Sequence, residues 1–127
     1  MITIKGEIHS SKISRRIFRS AGRVIVSKSA ASKADEKSFA WQLIAQRDEW
    51  FYMTDGHPYP LRVVFHFRRK THGRFDYINI SQGLLDSMTA AGYIPDDCAD
   101  YVIPVFKPYA VDKNNPGCDI TIEAGTA

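Results

Sequence analysis

Apolar and polar residues alternate through Met1-Ile2-Thr3-Ile4-Lys5-Gly6-Glu7-Ile8, the period of a strand with one buried face. From Lys12 to Arg23 the pattern changes: Lys12, Arg15, Arg16, Arg19 and Arg23 interleave with Ile13, Ile17 and Phe18, and Gly22 precedes the β-branched run Val24-Ile25-Val26. This predicts a basic, exposed loop over about residues 10–23 that returns into a second strand. Ser32-Lys33-Ala34-Asp35 has the form of an N-cap with an acid three residues on, and Phe39, Ala40, Leu43, Ile44, Trp50 and Phe51 recur at helical spacing. A helix over roughly residues 32–53 follows, with its aromatic stripe assigned to the core. Asp55-Gly56-His57-Pro58 breaks the chain, and Leu61 to Phe67 reads as a strand buried on at least one face, His66 within it being structural. Ile80, Leu84, Leu85, Met88 and Ala91 give a second helix from Tyr77, with Asp76 as N-cap and Gly92 as its stop. Strands at about residues 100–106 and 119–122, joined by the turn-rich Lys113-Asn114-Asn115-Pro116-Gly117, close the chain. The order β-β-α-β-α-β-β predicts one compact α+β domain over residues 1–127, a mixed sheet with two main helices packed on it.

Composition sharpens this picture in one respect. A chain of 127 residues that is 44% hydrophobic has material for one core. Its net charge of +3 hides a division at Asp76: residues 1–75 carry 15 Lys/Arg against 6 Asp/Glu, and residues 76–127 carry 2 against 8. The halves therefore stand at +9 and −6, which predicts a basic surface for an anionic partner beside an acidic region able to hold a cation. Cys98 and Cys118 have no CxxC partner and no secretory signal precedes them, so a reduced, cytoplasmic protein is expected. The four histidines lack zinc-motif spacing, and no apolar run approaches the roughly 18 residues of a membrane span.

The candidate chemistry lies where the two halves meet. Arg68-Arg69-Lys70-Thr71-His72-Gly73-Arg74 runs into Asp76-Tyr77-Ile78-Asn79, and one helix later comes Tyr93-Ile94-Pro95-Asp96-Asp97. Cations suit a phosphate backbone, and carboxylates suit a hard divalent ion. Singly, Asp76 is also what a helix cap requires, and Asp96-Asp97 what a solvated turn requires. A helix of about 15 residues spans ~22 Å, so the two acidic pieces meet only if the loop after Gly92 returns along the helix or a second copy supplies one of them.

These residues resemble the RusA family of Holliday junction resolvases over a little more than a third of the chain, from Leu61 to about Phe106. The family pattern is an Arg-rich stretch, Asp-x-Asp-Asn, a helix ending in Ala-Gly-aromatic, then Asp-Asp and a strand. The resembling stretch here runs Arg62 to Phe67, then Arg74-Phe75-Asp76-Tyr77-Ile78-Asn79-Ile80, then Leu84 to Asp97 with Ala90-Ala91-Gly92-Tyr93 and Asp96-Asp97. The resemblance implies a homodimer that nicks two symmetric strands of branched DNA, with Mg²⁺, or Mn²⁺ in its place, as the cofactor and no small organic cofactor. It further implies Asp76 and Asp97 as catalytic ligands, Asp96 beside them at the metal, and Asn79, Arg68, Arg69, Lys70, Arg74, Arg15, Arg16 and Arg19 on the DNA. Phe18 and Tyr77 are candidates for stacking at a junction centre or for core packing. Two positions depart from the pattern: the second aspartate of Asp-x-Asp falls on Ile78, and a lysine thought to assist catalysis falls on Gln82. Besides an active Mg²⁺-dependent nuclease, the residues therefore allow a junction-binding protein with weakened or lost catalysis. They also allow a scaffold or enzyme unrelated to nucleic acid.

Overall fold

The strand Leu61–Arg69 divides the molecule: Leu61, Val63, Phe65 and Phe67 are buried on one side of it, and Arg62, Val64, His66 and Arg68 alternate onto the other. The computed structural model describes residues 1–9, 15–20, 23–28 and 30–123, with side chains described for 1–9 and 35–123. In chain order the elements are β1 (Ile2–Lys5), β2 (Arg15–Ser20), β3 (Arg23–Lys28), α1 (Ala30–Ala45), α2 (Arg47–Thr54), β4 (Leu61–Arg69), α3 (Tyr77–Ala90), β5 (Val102–Phe106), β6 (Ala110–Val111) and β7 (Gly117–Glu123).

The main sheet is ordered β1-β7-β4-β5, with β6 pairing the far end of β4. β7 lies antiparallel between β1 and β4, which aligns Ile2 and Phe65 on Ile120, and Ile4 and Phe67 on Cys118. β5 and β6 run parallel to β4, and α3 supplies the crossover that a parallel pair needs. The three helices are joined in one core to the apolar sheet face through Phe39, Leu43, Trp50, Ile80, Leu84, Leu85 and Met88. This is one small α+β domain with a mixed sheet. Among the described residues no helix is long and apolar enough to cross a membrane.

Two details hold the helices in place. Trp50 stacks on Tyr93 at 5.0 Å and donates its indole N–H to the Tyr93 carbonyl at 2.9 Å, while the Tyr93 hydroxyl donates to the Leu43 carbonyl. Burial pushes the Tyr93 phenol up to about 12. At the end of α3 the Tyr93 N–H reaches the Met88 carbonyl and the Gly92 N–H reaches Thr89, a Schellman closure with Gly92 at φ +82°. Gly92 is thus the stop its sequence position predicts.

Several expectations need correction. The helix expected over 32–53 is two helices broken at Gln46, and it starts at Ala30 rather than after an N-cap at Ser32. Asp35 lies beyond the first turn of the helix, and its carboxylate is engaged by His9. Of the expected stripe, Phe39, Leu43 and Trp50 are buried, but Ala40, Ile44 and Phe51 are exposed, as is Trp41. Apolar residues occupy more of this surface than the sheet can cover. Within the segment expected as a loop, residues 15–20 form β2, which pairs with β3 from Arg15↔Lys28 to Ser20↔Arg23. Lys12 lies outside the described residues, as do the side chains of Arg15, Arg16, Phe18, Arg19 and Arg23.

The free edge of β1 is closed by side chains. Thr3 N–H donates to Gln46 Oε1 at 2.9 Å and Gln46 Nε2 returns a bond to the Thr3 carbonyl at 2.9 Å. Lys5 exchanges the same two bonds with Gln42 at 2.6 and 2.9 Å. Two amides one helical turn apart thereby stand in for a neighbouring strand.

Candidate functional site

Asp76 occupies the N-cap position of α3 with extended backbone, φ −113° and ψ 135°, but its side chain makes no capping bond. Its Oδ2 instead accepts from Asn79 Nδ2 at 3.1 Å. The carboxylate is exposed and free of any helix N–H, so its lone pairs remain open to an incoming ligand. Beyond it, Ile78, Gln82 and Asp86 succeed one another at four-residue steps along one face of α3. Ile78 is 73% exposed.

The loop after Gly92 returns along the helix. Gln82 Nε2 donates both to Asp86 Oδ1 at 3.0 Å and to Asp97 Oδ2 at 3.2 Å. Asp97 is therefore held on the same helix that begins at Asp76, against a residue about 9 Å further along its axis. Asp96 shapes this turn, its Oδ1 accepting the Asp97 backbone N–H at 2.8 Å. Asp86 is the contributor that sequence reasoning missed; its four-residue spacing from Gln82 is the signal that would have found it.

Asp76, Asp96 and Asp97 were expected to share one ion, and the folded chain does not gather them. Among the described residues no group of three His, Cys, Asp or Glu could hold a metal. Ile78 supplies no oxygen where the resemblance implies a carboxylate, and Asp97 bonds to an amide. The oxygen donors along this helix are the Asp76 and Asp97 carboxylates and the Asn79 amide, with Asp97 bonded at Gln82, about 9 Å along the axis from Asp76. Mg²⁺ is commonly held by one or two carboxylates together with water and substrate phosphate. An open pocket of about 480 Å³, lined by Asp76, Tyr77, Ile78, Asn79 and Phe106, adjoins the first of these donors.

The cations divide into two kinds. Arg68 is only 11% exposed; its Nη1 lies 2.6 Å from Asp119 Oδ2, and its Nε donates to the Asn115 carbonyl at 2.9 Å. Thr3 Oγ1 completes the group, donating to Asp119 Oδ1 at 3.2 Å. Arg68, expected on DNA, lies on the polar face of the sheet, where alternation along β4 places it, with its guanidinium engaged by Asp119 and Asn115. Arg69 donates Nη1 to the Gly73 carbonyl at 2.9 Å and lies 4.2 Å over the Phe75 ring, fixing the turn before Asp76. Lys70 and Arg74 are exposed, Lys70 Nζ lying 3.6 Å from Glu7. Tyr77 packs rather than projects: it stacks on Phe106 at 5.2 Å, and its hydroxyl accepts the Tyr109 N–H at 3.0 Å.

Neither family models nor curated proteins yield a match to this chain.

Proposed function

We propose that the protein is a RusA-like, structure-selective endonuclease acting on four-way DNA junctions in the cytoplasm, as a homodimer and with Mg²⁺ or Mn²⁺. The observation that carries this reading is the return of Asp97 onto α3 at Gln82, on the helix that Asp76 and Asn79 open. Exposed Lys70 and Arg74 precede that helix and would bind backbone phosphates. Asp76 and Asp97 would hold the metal, with Asn79 orienting the Asp76 carboxylate. When bound, the ion would supply Lewis-acid activation for phosphodiester hydrolysis. A junction has two symmetric strands to cut, which is why two copies are proposed. With β1 covered by Gln42 and Gln46, the second copy would dock elsewhere than on that edge.

One observation favours a second reading. An exposed isoleucine between Asp76 and Gln82 leaves a site with few oxygen ligands, as in a junction-binding protein whose catalysis has weakened or lapsed. Incubation with a labelled four-way junction and a matched linear duplex, under Mg²⁺, Mn²⁺ or EDTA, separates the two. Paired nicks confined to the junction and abolished by EDTA are expected, with Asp97→Asn lowering cleavage on the order of a hundredfold or more while binding persists. Undiminished cleavage in Asp97→Asn would remove that residue from the site. A large gain from Ile78→Asp would favour the lapsed-catalysis reading.

A further inference from the structure

Trp41 is 79% exposed, Ile44 60% and Tyr52 83%, although all three sit on helices that pack the core. The inner row of α1 and α2, Phe39, Leu43, Gln46 and Trp50, keeps its course across the break at Gln46. Phe39, Leu43 and Trp50 enter the core, and Gln46 binds β1. Residues two positions earlier stand on the opposite side of a helix, so Lys37, Trp41, Ile44 and Asp48 form one outward row, and all four are exposed. At Ile44 the row borders a groove of about 360 Å³ between α1 and α3, whose lining includes Ala40, Asp86, Ala90 and Ala91. Next to this groove the Arg47 guanidinium lies beside Gly92 and 5.7 Å over the Phe51 ring, which carries the apolar surface onto α2.

A face this apolar is the mark of a surface that another body covers. Its charges choose the occupant. Asp48 on the row and Asp86 at the groove repel a phosphate backbone, and the single Lys37 is far from the basic cluster that an anionic membrane requires. A second copy of the chain fits instead. The row reads cation, two large apolar residues, anion, an order that becomes its own complement when reversed, as a two-fold interface demands. An axis at the level between Gln42 and Leu43 gathers Trp41 and Ile44 of both copies and opposes each Lys37 to the partner's Asp48. Exposed tryptophan at the centre of such a patch is the kind of side chain on which binding energy concentrates. Pairing through the sheet is disfavoured at both edges: Gln42 and Gln46 close β1, and β5 carries Pro104, which has no N–H to donate.

We infer that the outward face of α1 and α2, centred on Trp41 and Ile44, docks antiparallel on the same face of a second copy of this chain. The inference rests on the homodimeric reading above for the number of copies, and its test needs no DNA. Sedimentation of the full chain over a wide concentration series measures the dimer. Trp41→Glu and Ile44→Glu are each expected to weaken dimerisation on the order of a hundredfold, with an unaltered far-UV spectrum because both side chains are exposed. Lys37→Glu and Asp48→Lys should each weaken it about tenfold at low salt, and their combination should return it to within about threefold of wild type. A monomeric wild type overturns the inference together with the homodimer. A wild-type dimer that both glutamate variants leave intact overturns the inference alone, and a charge exchange that recovers nothing overturns the antiparallel arrangement. Junction binding by fluorescence anisotropy covers the remaining occupant: a protein monomeric throughout that loses affinity in Trp41→Glu would make this face a nucleic-acid surface and overturn the inference.

Discussion

Removing Asp119 should destabilise the fold through Arg68. In the native chain the Arg68 guanidinium is 11% exposed and Asp119 21%, and Arg68 Nη2 is buried with no hydrogen-bond partner among the described residues. Asp119→Ala takes away the 2.6 Å contact to Nη1 and leaves one bond, from Nε to the Asn115 carbonyl. Breaking a buried pair from one side costs about 3–5 kcal/mol, and the residual exposure of Asp119 places this case near 3 kcal/mol. For a domain of this size that corresponds to a fall of about 10–15 °C in Tm. Replacing both partners with apolar residues, as Arg68→Met with Asp119→Leu, should recover stability to within about 1 kcal/mol of wild type. Urea unfolding followed by Trp50 fluorescence in a Trp41→Phe background compares wild type, Asp119→Ala and the double variant. Asp119→Ala within about 0.5 kcal/mol of wild type would refute the reasoning. The folded double variant should also keep full junction affinity; a large loss would return Arg68 to the phosphate surface.

Two further predictions concern the sheet and the thiols. Gln42→Ala combined with Gln46→Ala uncovers the Thr3 and Lys5 backbone groups, so a loss of about 1–3 kcal/mol and concentration-dependent self-association are expected by light scattering. Unaltered stability and mass would show that the edge needs no cover. Cys98 is exposed, whereas Cys118 is fully buried and burial pushes its thiol upward. A chromogenic disulfide should therefore titrate one thiol in native buffer and two in urea, and rapid reaction of both without denaturant would contradict the buried assignment.

Periodicity and punctuation made the elements legible where one signal dominated. Alternation gave β1 and β4, and the run Ile80, Leu84, Leu85, Met88 with Gly92 gave α3 and its end. The first helix was harder: Ala40, Trp41 and Ile44 carry helical spacing without being buried, because periodicity reports a face and cannot tell whether another element covers it. The strand at Val24-Ile25-Val26 was legible as β3, but its partner β2 at residues 15–20 escaped because dense arginines read as solvated loop.

At the candidate site, sequence supplied the oxygen donors and cations, since residue type and local spacing are properties of the chain. It determined that Asp76 opens a helix and that Asp96-Asp97 follow its end. Only the tertiary structure decided that the return loop brings Asp97 to Gln82, that Arg68 pairs with Asp119 and that Asp35 reaches back to His9. Each of those contacts joins residues far apart in the chain. Such pairings arise from strand register and helix packing over the core, which no local pattern encodes.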